Sequence, residues 1–301
     1  MGQCVGDSLG ALVEFSSPEE IRQRYPEGMQ NLEDGGHWNL IAGQPTDDTE
    51  MALALTRCIL EEGTYSQEKA RKAYLDWCHS NPFDMGRTIT TALMSGPHHS
   101  VCQESQANGA LMRVSPIAIL GAGHDYQEVA KWAMQDAELT HPHRVCKEVN
   151  ALFAMAIAYS MSEGPELEEI YDRIVGWSRE MSVDKSVSNC IADARLGLPN
   201  TMENSGWVLI AFQIALYHML HTEKSDRAVI DTVEMGGDTD TNGAICGAMI
   251  GSINGINLFP FQWKRAVREC SPTEKTSTHH PRPKEYWPCD VEDLAVKLFF
   301  M

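Results

Sequence analysis

Two stretches of this chain crowd oxygen donors at the start of an apolar helix. Thr46, Asp47, Asp48 and Thr49 precede a periodic run that opens at Met51. Gly236, Gly237, Asp238, Thr239, Asp240 and Thr241 precede a run rich in Gly, Ala and Ile. One hydroxyl or carboxylate at such a place is explained as an N-cap, and the helix dipole favours acids there. A cap does not explain two carboxylates beside two threonines, twice over. If both helix starts converge, four carboxylates and at least two hydroxyls meet at one point. Charges that close repel unless a cation neutralises them. Oxygen donors without His or Cys among them select Mg²⁺, Mn²⁺ or Ca²⁺ over zinc, and four carboxylates suit two divalent ions better than one. Gly236 and Gly237 give the backbone the freedom to turn sharply there.

Four further stretches carry chemistry-bearing residues. In the first, Gly2, Gly6 and Gly10 recur every four residues, and Asp7 and Glu14 stand seven apart. On one helix those two acids share a face, about 10 Å apart along it. No strand precedes these glycines and the G-x-G-x-x-G spacing is absent, so a dinucleotide fingerprint is the weaker reading. In the second, Asn81-Pro82 opens a turn, and Asp84 precedes Gly86 and a helix expected from about Thr88. The third, Ser105 to Gly109, is a small polar loop whose backbone N–H groups suit an anionic phosphate or simply a turn. The fourth places His141 beside Pro142 between two helices, where spacing alone gives it no role.

Helical periodicity positions these motifs. Residues 49–63, 66–80, 126–140, 144–164, 165–181 and 205–221 carry apolar residues at three- and four-residue spacing. Gly243, Gly247 and Gly251 lie on one face of the last acid-headed helix, as close packing against another helix requires. Gly, Pro and polar clusters mark loops at 26–45, 94–110, 193–206 and 271–288, the last expected to be a mobile surface segment. No strand pattern or long repeat stands out. The expectation is an all-α fold, with residues 1–301 forming a single domain and 270–288 a surface loop.

Composition narrows the partners. The net charge of −18 argues against nucleic acid and against anionic membranes. Nine Cys without a Cys-x-x-Cys pair fit free thiols, hence a reducing cytoplasm. No leader is expected, since Asp7 interrupts the N-terminus before an apolar run develops. Residues 207–220 are too short to span a bilayer and read as a buried core helix.

Taken in order, the motifs resemble the ADP-ribosylglycohydrolase family. The match runs through Gly-Asp-Ser-Leu-Gly-Ala-x-x-Glu-Phe at 6–15, Thr-Asp-Asp-Thr at 46–49 and Pro-Phe-Asp-Met-Gly at 82–86. It continues through Asn-Gly-Ala-Leu-Met-Arg at 108–113, Thr-His-Pro at 140–142 and Gly-Gly-Asp-Thr-Asp-Thr at 236–241. The 82–86 block is similar to the branch that resembles dinitrogenase-reductase-activating glycohydrolase. The resemblance implies a compact, orthogonally packed helical domain with a central binuclear site holding two divalent cations, Mg²⁺ or Mn²⁺. It implies hydrolysis of the N-glycosidic bond between ADP-ribose and arginine on an ADP-ribosylated protein, by a monomer. By position, Thr46, Asp47, Asp48, Asp238, Asp240 and Thr241 become metal ligands. Asp84 becomes the general base or proton-transfer group, and Glu14, beside the metals, a ligand or a base for the water. Ser105, Asn108, Gly109, His141 and Gly86 become substrate contacts. Gln106 and Ala107 stand where relatives often carry an aromatic residue and a Gly. Two carboxylates at a glycosidic centre also suggest an ordinary glycosidase, but those need no metal. Another linkage, to serine or in O-acetyl-ADP-ribose, and a silent ADP-ribose-binding relative remain open alternatives.

Overall fold

Each of the six periodic stretches is a helix. A computed structural model of residues 1–301 has sixteen α-helices and no strand. They are α1 (Gly2–Gly10), α2 (Pro18–Arg24), α3 (Asp47–Glu62), α4 (Gln67–His79), α5 (Arg87–Ser95) and α6 (Ser100–Glu104), then α7 (Ser115–Leu120), α8 (Tyr126–Glu138), α9 (Arg144–Glu163), α10 (Leu167–Glu180) and α11 (Lys185–Asp193). The last five are α12 (Val208–His221), α13 (Ser225–Glu234), α14 (Thr239–Asn254), α15 (Phe261–Glu269) and α16 (Val291–Phe299). Extended pairing is limited to two isolated bridges, Gly35–Leu40 and Ala107–Trp207.

Helix α9 is buried on nearly every side, which marks the centre of the core. Around it Tyr74, Trp77, Phe153 and Phe212 are fully enclosed. Burying each such side chain contributes about 1.5–3 kcal/mol. Helix α12 is the buried core helix that its apolar run predicts. No helix is long and apolar enough to cross a membrane.

The two glycine stripes meet each other. Gly2 faces Gly247, Gly6 faces Gly243 and Gly10 faces Thr239, so α1 and α14 run antiparallel in backbone contact. A Cβ at Gly6 would lie 2.0 Å from the Gly243 carbonyl oxygen, and one at Gly247 2.2 Å from that of Gly2. Thr239 Oγ1 also donates to the Gly10 carbonyl at 2.7 Å. This contact sets the C-terminal end of α1 beside the acidic start of α14.

One expectation changes. Helix α1 ends at Gly10, so Glu14 does not continue the face of Asp7; it lies in the turn that follows. That turn is clasped to the double glycine: Phe15 N–H donates to Gly237 O at 2.9 Å, and Gly237 N–H to Ser16 O at 3.0 Å. Gly236 and Gly237 have φ of 73° and 82°, and a Cβ on either would meet a carbonyl oxygen at 2.6 Å. The 271–288 segment is anchored through one buried side chain. Arg282 within it is buried, and its guanidinium grips both Glu50 oxygens at 2.8 and 2.7 Å and the Ser80 carbonyl at 2.8 Å. A second enclosed pair, Arg113–Asp136 at 3.0 Å, ties down the loop before it, because Arg113 Nη1 also donates to Gly109 O at 2.9 Å. Removing one partner of such a pair costs about 3–5 kcal/mol.

Candidate active site

Both acid motifs do arrive at one place. Helices α3 and α14 point their N-termini at the same region, where their dipoles favour negative charge. Carboxylate oxygens of Glu14, Asp84 and Asp240 lie within 4.8 Å of one another. The charges of Glu14, Asp48, Asp238 and Asp84 all act on Asp240. Four separate segments thus supply one acidic centre: the turn after α1, the start of α3, the loop before α5 and the start of α14.

The cap of α3 comes from elsewhere. Thr46 occupies the N-cap position but its side chain makes no capping bond. Asp7 of α1 performs the task instead. Its Oδ2 accepts from the Thr49 N–H at 3.1 Å, and its Oδ1 from the Thr46 N–H at 3.1 Å. Thr46 Oγ1 lies 3.0 Å from both Asp7 Oδ1 and Asp48 Oδ2. One hydroxyl proton cannot serve two carboxylates, so this oxygen has a lone pair to spare between them. Asp48 Oδ1 is buried with no partner at all.

Burial drives the acids away from their ordinary range. It lifts Asp7 to about 7 against the hydrogen bonds that Asp7 accepts. It lifts Glu14 to about 8, with the Asp84 charge adding to the effect, and Asp84 to about 6, with Asp238 adding. Burial first and neighbouring charge second push Asp47, Asp48 and Asp240 well above the carboxylate range. A cluster this frustrated, all oxygen, with an orphaned buried carboxylate oxygen, fits a hard divalent cation.

The remaining residues divide into two flanks. On one, Asn108 Nδ2 donates to Asp238 Oδ2 at 2.7 Å, so this side chain orients a carboxylate, and the Asn108 N–H bonds Gly206 O at 3.0 Å. Ser105 shares a 2.9 Å hydrogen bond with Thr88 and accepts from the Ala107 N–H. His141 is only 1% exposed, packed beneath Gly109; burial and the Arg113 charge lower it to about 3, so the ring is neutral. A cleft of about 580 Å³ opens here, lined by Gln106, Ala107, Ser205, Gly206 and Trp207. Trp207 Nε1 donates to Gln106 Oε1 at 3.0 Å, which brings an aromatic face from another segment to the place where the loop lacks one. On the other flank, the Gly86 N–H reaches Asp47 Oδ2 at 3.4 Å, and Trp38 Nε1 donates to Glu14 Oε2 at 2.7 Å. Thr241 is buried at the start of α14, where its N–H bonds Asp240 Oδ1 at 2.9 Å.

Comparison with known proteins identifies the family. The family model described as ADP-ribosylglycohydrolase matches residues 1–298. The chain belongs to the ADP-ribosylglycohydrolase family. It is 29% identical over 272 residues to the ADP-ribosyl-[dinitrogen reductase] glycohydrolase of Rhodospirillum rubrum, covering 87% of this chain and 86% of that one. It is 22% identical to an ADP-ribosylarginine hydrolase of Pseudomonas putida (strain GB-1), covering 89% of this chain and 72% of the relative. A solved structure titled ADP-ribosylglycohydrolase-related protein complex superposes with a TM-score of 0.80 at 23% identity, over 100% of this chain and 95% of that one.

For an ADP-ribosylglycohydrolase chain, sequence reasoning left several supporting residues unassigned. Asp7 sits inside the first motif but had no task until α3 was seen to lack its own cap. Trp38 lies in a Gly-rich loop with no periodicity to flag it. Glu50 and Arg282 are 232 positions apart, a pairing that no local pattern reveals.

Proposed function

We propose that this protein is a divalent-cation-dependent hydrolase that removes ADP-ribose from arginine side chains of modified proteins. The observation that carries this reading is the convergence of Glu14, Asp84 and Asp240 at the mouth of two acid-headed helices. The relatives' names support the bond type.

Thr46, Asp47, Asp48, Asp238, Asp240 and Thr241 are the residues that would hold two cations, Mg²⁺ or Mn²⁺. Bound there, divalent cations supply positive charge for sugar hydroxyls and lower the pKa of a water. The chain's own groups do the rest. The Asn108–Gly109 loop, with Ser105 bracing it and His141 behind it, receives the ADP-ribose. Gly86 leaves room beside Asp47. Asp84 takes a proton from the attacking water, whose oxygen bonds the anomeric carbon as the carbon–nitrogen bond breaks. The guanidine nitrogen keeps the electron pair and receives a proton, with Glu14 placed to exchange it. Trp38 holds Glu14 in that position.

The experiment is a release assay with proteins ADP-ribosylated on arginine and, separately, on serine, each with Mg²⁺, Mn²⁺ or chelator. Metal-dependent release from arginine supports the reading. Release from serine alone, or release indifferent to chelator, overturns it.

A further inference from the structure

Five aromatic rings surround the Glu14–Asp84 side of the acidic centre, and they come from four separate segments. Phe15 meets His37 edge-on at 5.0 Å, and His37 meets Trp38 at 4.8 Å. Trp38 lies 5.7 Å from Phe83, and Phe83 stacks on His280 at 4.6 Å with 29° between the planes. His280 closes back on Trp38 at 6.4 Å. The rings are bound to the acids by the chain itself. Phe15 follows Glu14 and Phe83 precedes Asp84, while Trp38 hydrogen-bonds Glu14.

Core packing does not account for this group. Phe15 is 63% exposed, and Trp38, Phe83 and His280 are only partly covered. Phe15 also has a φ of 63°, a left-handed conformation that a bulky residue adopts only under constraint. His280 is brought in by a long, otherwise irregular segment fastened at three points: Arg282 to Glu50, Thr278 Oγ1 to Gln44 Oε1 at 2.7 Å, and Gln44 Nε2 to the His280 carbonyl at 2.8 Å. Burial lowers the His280 pKa, so its ring stays neutral near pH 7.

We propose that this collar is the leaving-group subsite, formed chiefly by Trp38, Phe83 and His280, and that it selects a planar cation, the alkylguanidinium of arginine. Aromatic faces carry negative charge density and attract a delocalised cation laid over them. Glu14, bonded to the edge of Trp38, and Asp84, next to Phe83, offer oxygens that can accept from guanidinium N–H groups. A seryl hydroxyl offers neither charge nor plane, so the collar discriminates by linkage. The subsite shares no lining residue with the Asn108–Trp207 cleft. The inference rests on the arginine reading above and assigns the residues that would impose it.

Phe83→Leu keeps apolar bulk but removes a face; Trp38→Phe keeps a face but removes the bond to Glu14. The probes are agmatine, an alkylguanidine, as inhibitor and free ADP-ribose as control ligand, alongside arginine- and serine-linked ADP-ribosyl peptides. Phe83→Leu is expected to raise KM for the arginine-linked peptide and weaken agmatine inhibition by about tenfold, with ADP-ribose affinity unchanged. Trp38→Phe is expected to lower kcat and retain agmatine inhibition. Equal weakening of agmatine and ADP-ribose in Phe83→Leu overturns the subsite, as does a wild-type protein that ignores agmatine. If wild type cleaves serine-linked peptide only, the functional reading fails. Agmatine binding that Phe83→Leu abolishes would still support the collar, so the two failures are distinguishable.

Discussion

Asp7 Oδ2 accepts the Thr49 N–H at 3.1 Å, so a carboxylate on one helix caps another whose N-cap residue, Thr46, lies 39 positions later. The arrangement spares the Thr46 side chain and the Asp47 and Asp48 carboxylates from capping α3. Asp7→Asn replaces one acceptor oxygen by a donor facing N–H groups. Stability is expected to fall by about 1–3 kcal/mol, and Mn²⁺ affinity with it, because Thr46, which bridges Asp7 and Asp48, loses an acceptor. Urea denaturation and a Mn²⁺ titration on the same variant measure both; unchanged Mn²⁺ affinity would reduce Asp7 to a cap.

Asp240 lies where the influence of both motifs overlaps, with Glu14, Asp48, Asp238 and Asp84 all acting on it. Asp240→Asn preserves shape and removes the charge. Metal-dependent release of ADP-ribose is expected to disappear, together with the high-affinity phase of Mn²⁺ binding. Full turnover in this variant would refute the cation-centred reading.

Asp84 stands on a loop and is only half-buried, with its carboxyl raised to about 6. Asp84→Asn is expected to lower kcat by about 10²- to 10⁴-fold and to leave ADP-ribose affinity near that of the wild type. Single-turnover rates and equilibrium binding, measured side by side, separate the two quantities. A collapse in affinity with the rate of bound substrate intact would make Asp84 a binding residue.

The glycine interface offers a test at a distance from the chemistry. Gly6→Ala puts a methyl 2.0 Å from the Gly243 carbonyl oxygen, and backbone cannot swing aside. The helices must separate, at a cost of about 1–3 kcal/mol or more. Because α1 carries Asp7 and α14 carries Asp240, cation affinity is expected to fall further than stability. Gly176, inside α10 with nothing within 4 Å of its Cβ position, supplies the control: Gly176→Ala should leave cation affinity unchanged and raise stability by about 0.5–1 kcal/mol.

What was legible in the sequence had local period or paired motifs behind it. The six periodic stretches became helices because apolar spacing survives any tertiary arrangement. The Thr-Asp-Asp-Thr and Asp-Thr-Asp-Thr segments exposed themselves because two carboxylates exceed what a cap needs. Long-range pairings were illegible. Nothing near Gly6 names Gly243 as its partner, and nothing near Glu50 names Arg282. The path of Glu14 was misjudged for the same reason: a spacing of seven suggests one helix face, but the Phe15–Gly237 and Gly237–Ser16 bonds turn the chain after Gly10. The collar was missed because Phe15, Trp38, Phe83 and His280 sit singly in irregular loops and acquire meaning only together.

The acidic centre also makes stability depend on pH in an unusual direction. Asp7 and Glu14 have folded-state values raised to about 7 and 8. A raised carboxyl binds its proton more tightly in the folded chain than in the unfolded one. Its contribution is therefore complete below the ordinary carboxylate range and is lost as pH rises through the folded value. His141 and His218 are lowered to about 3 and 4, which acts in the opposite sense, but only below the ordinary histidine value near 6.5. Between pH 6.5 and 8 the carboxyl effect stands alone among these four groups. Chelator-treated protein is expected to melt at a lower temperature at pH 8 than at pH 6.5. Saturating Mg²⁺ or Mn²⁺ should abolish most of that difference, since a cation replaces the proton as the neutralising charge. Calorimetry at the two pH values, with and without cation, reads this directly. A metal-free protein that gains stability toward pH 8 would show that these carboxyls are not the strained groups their burial implies.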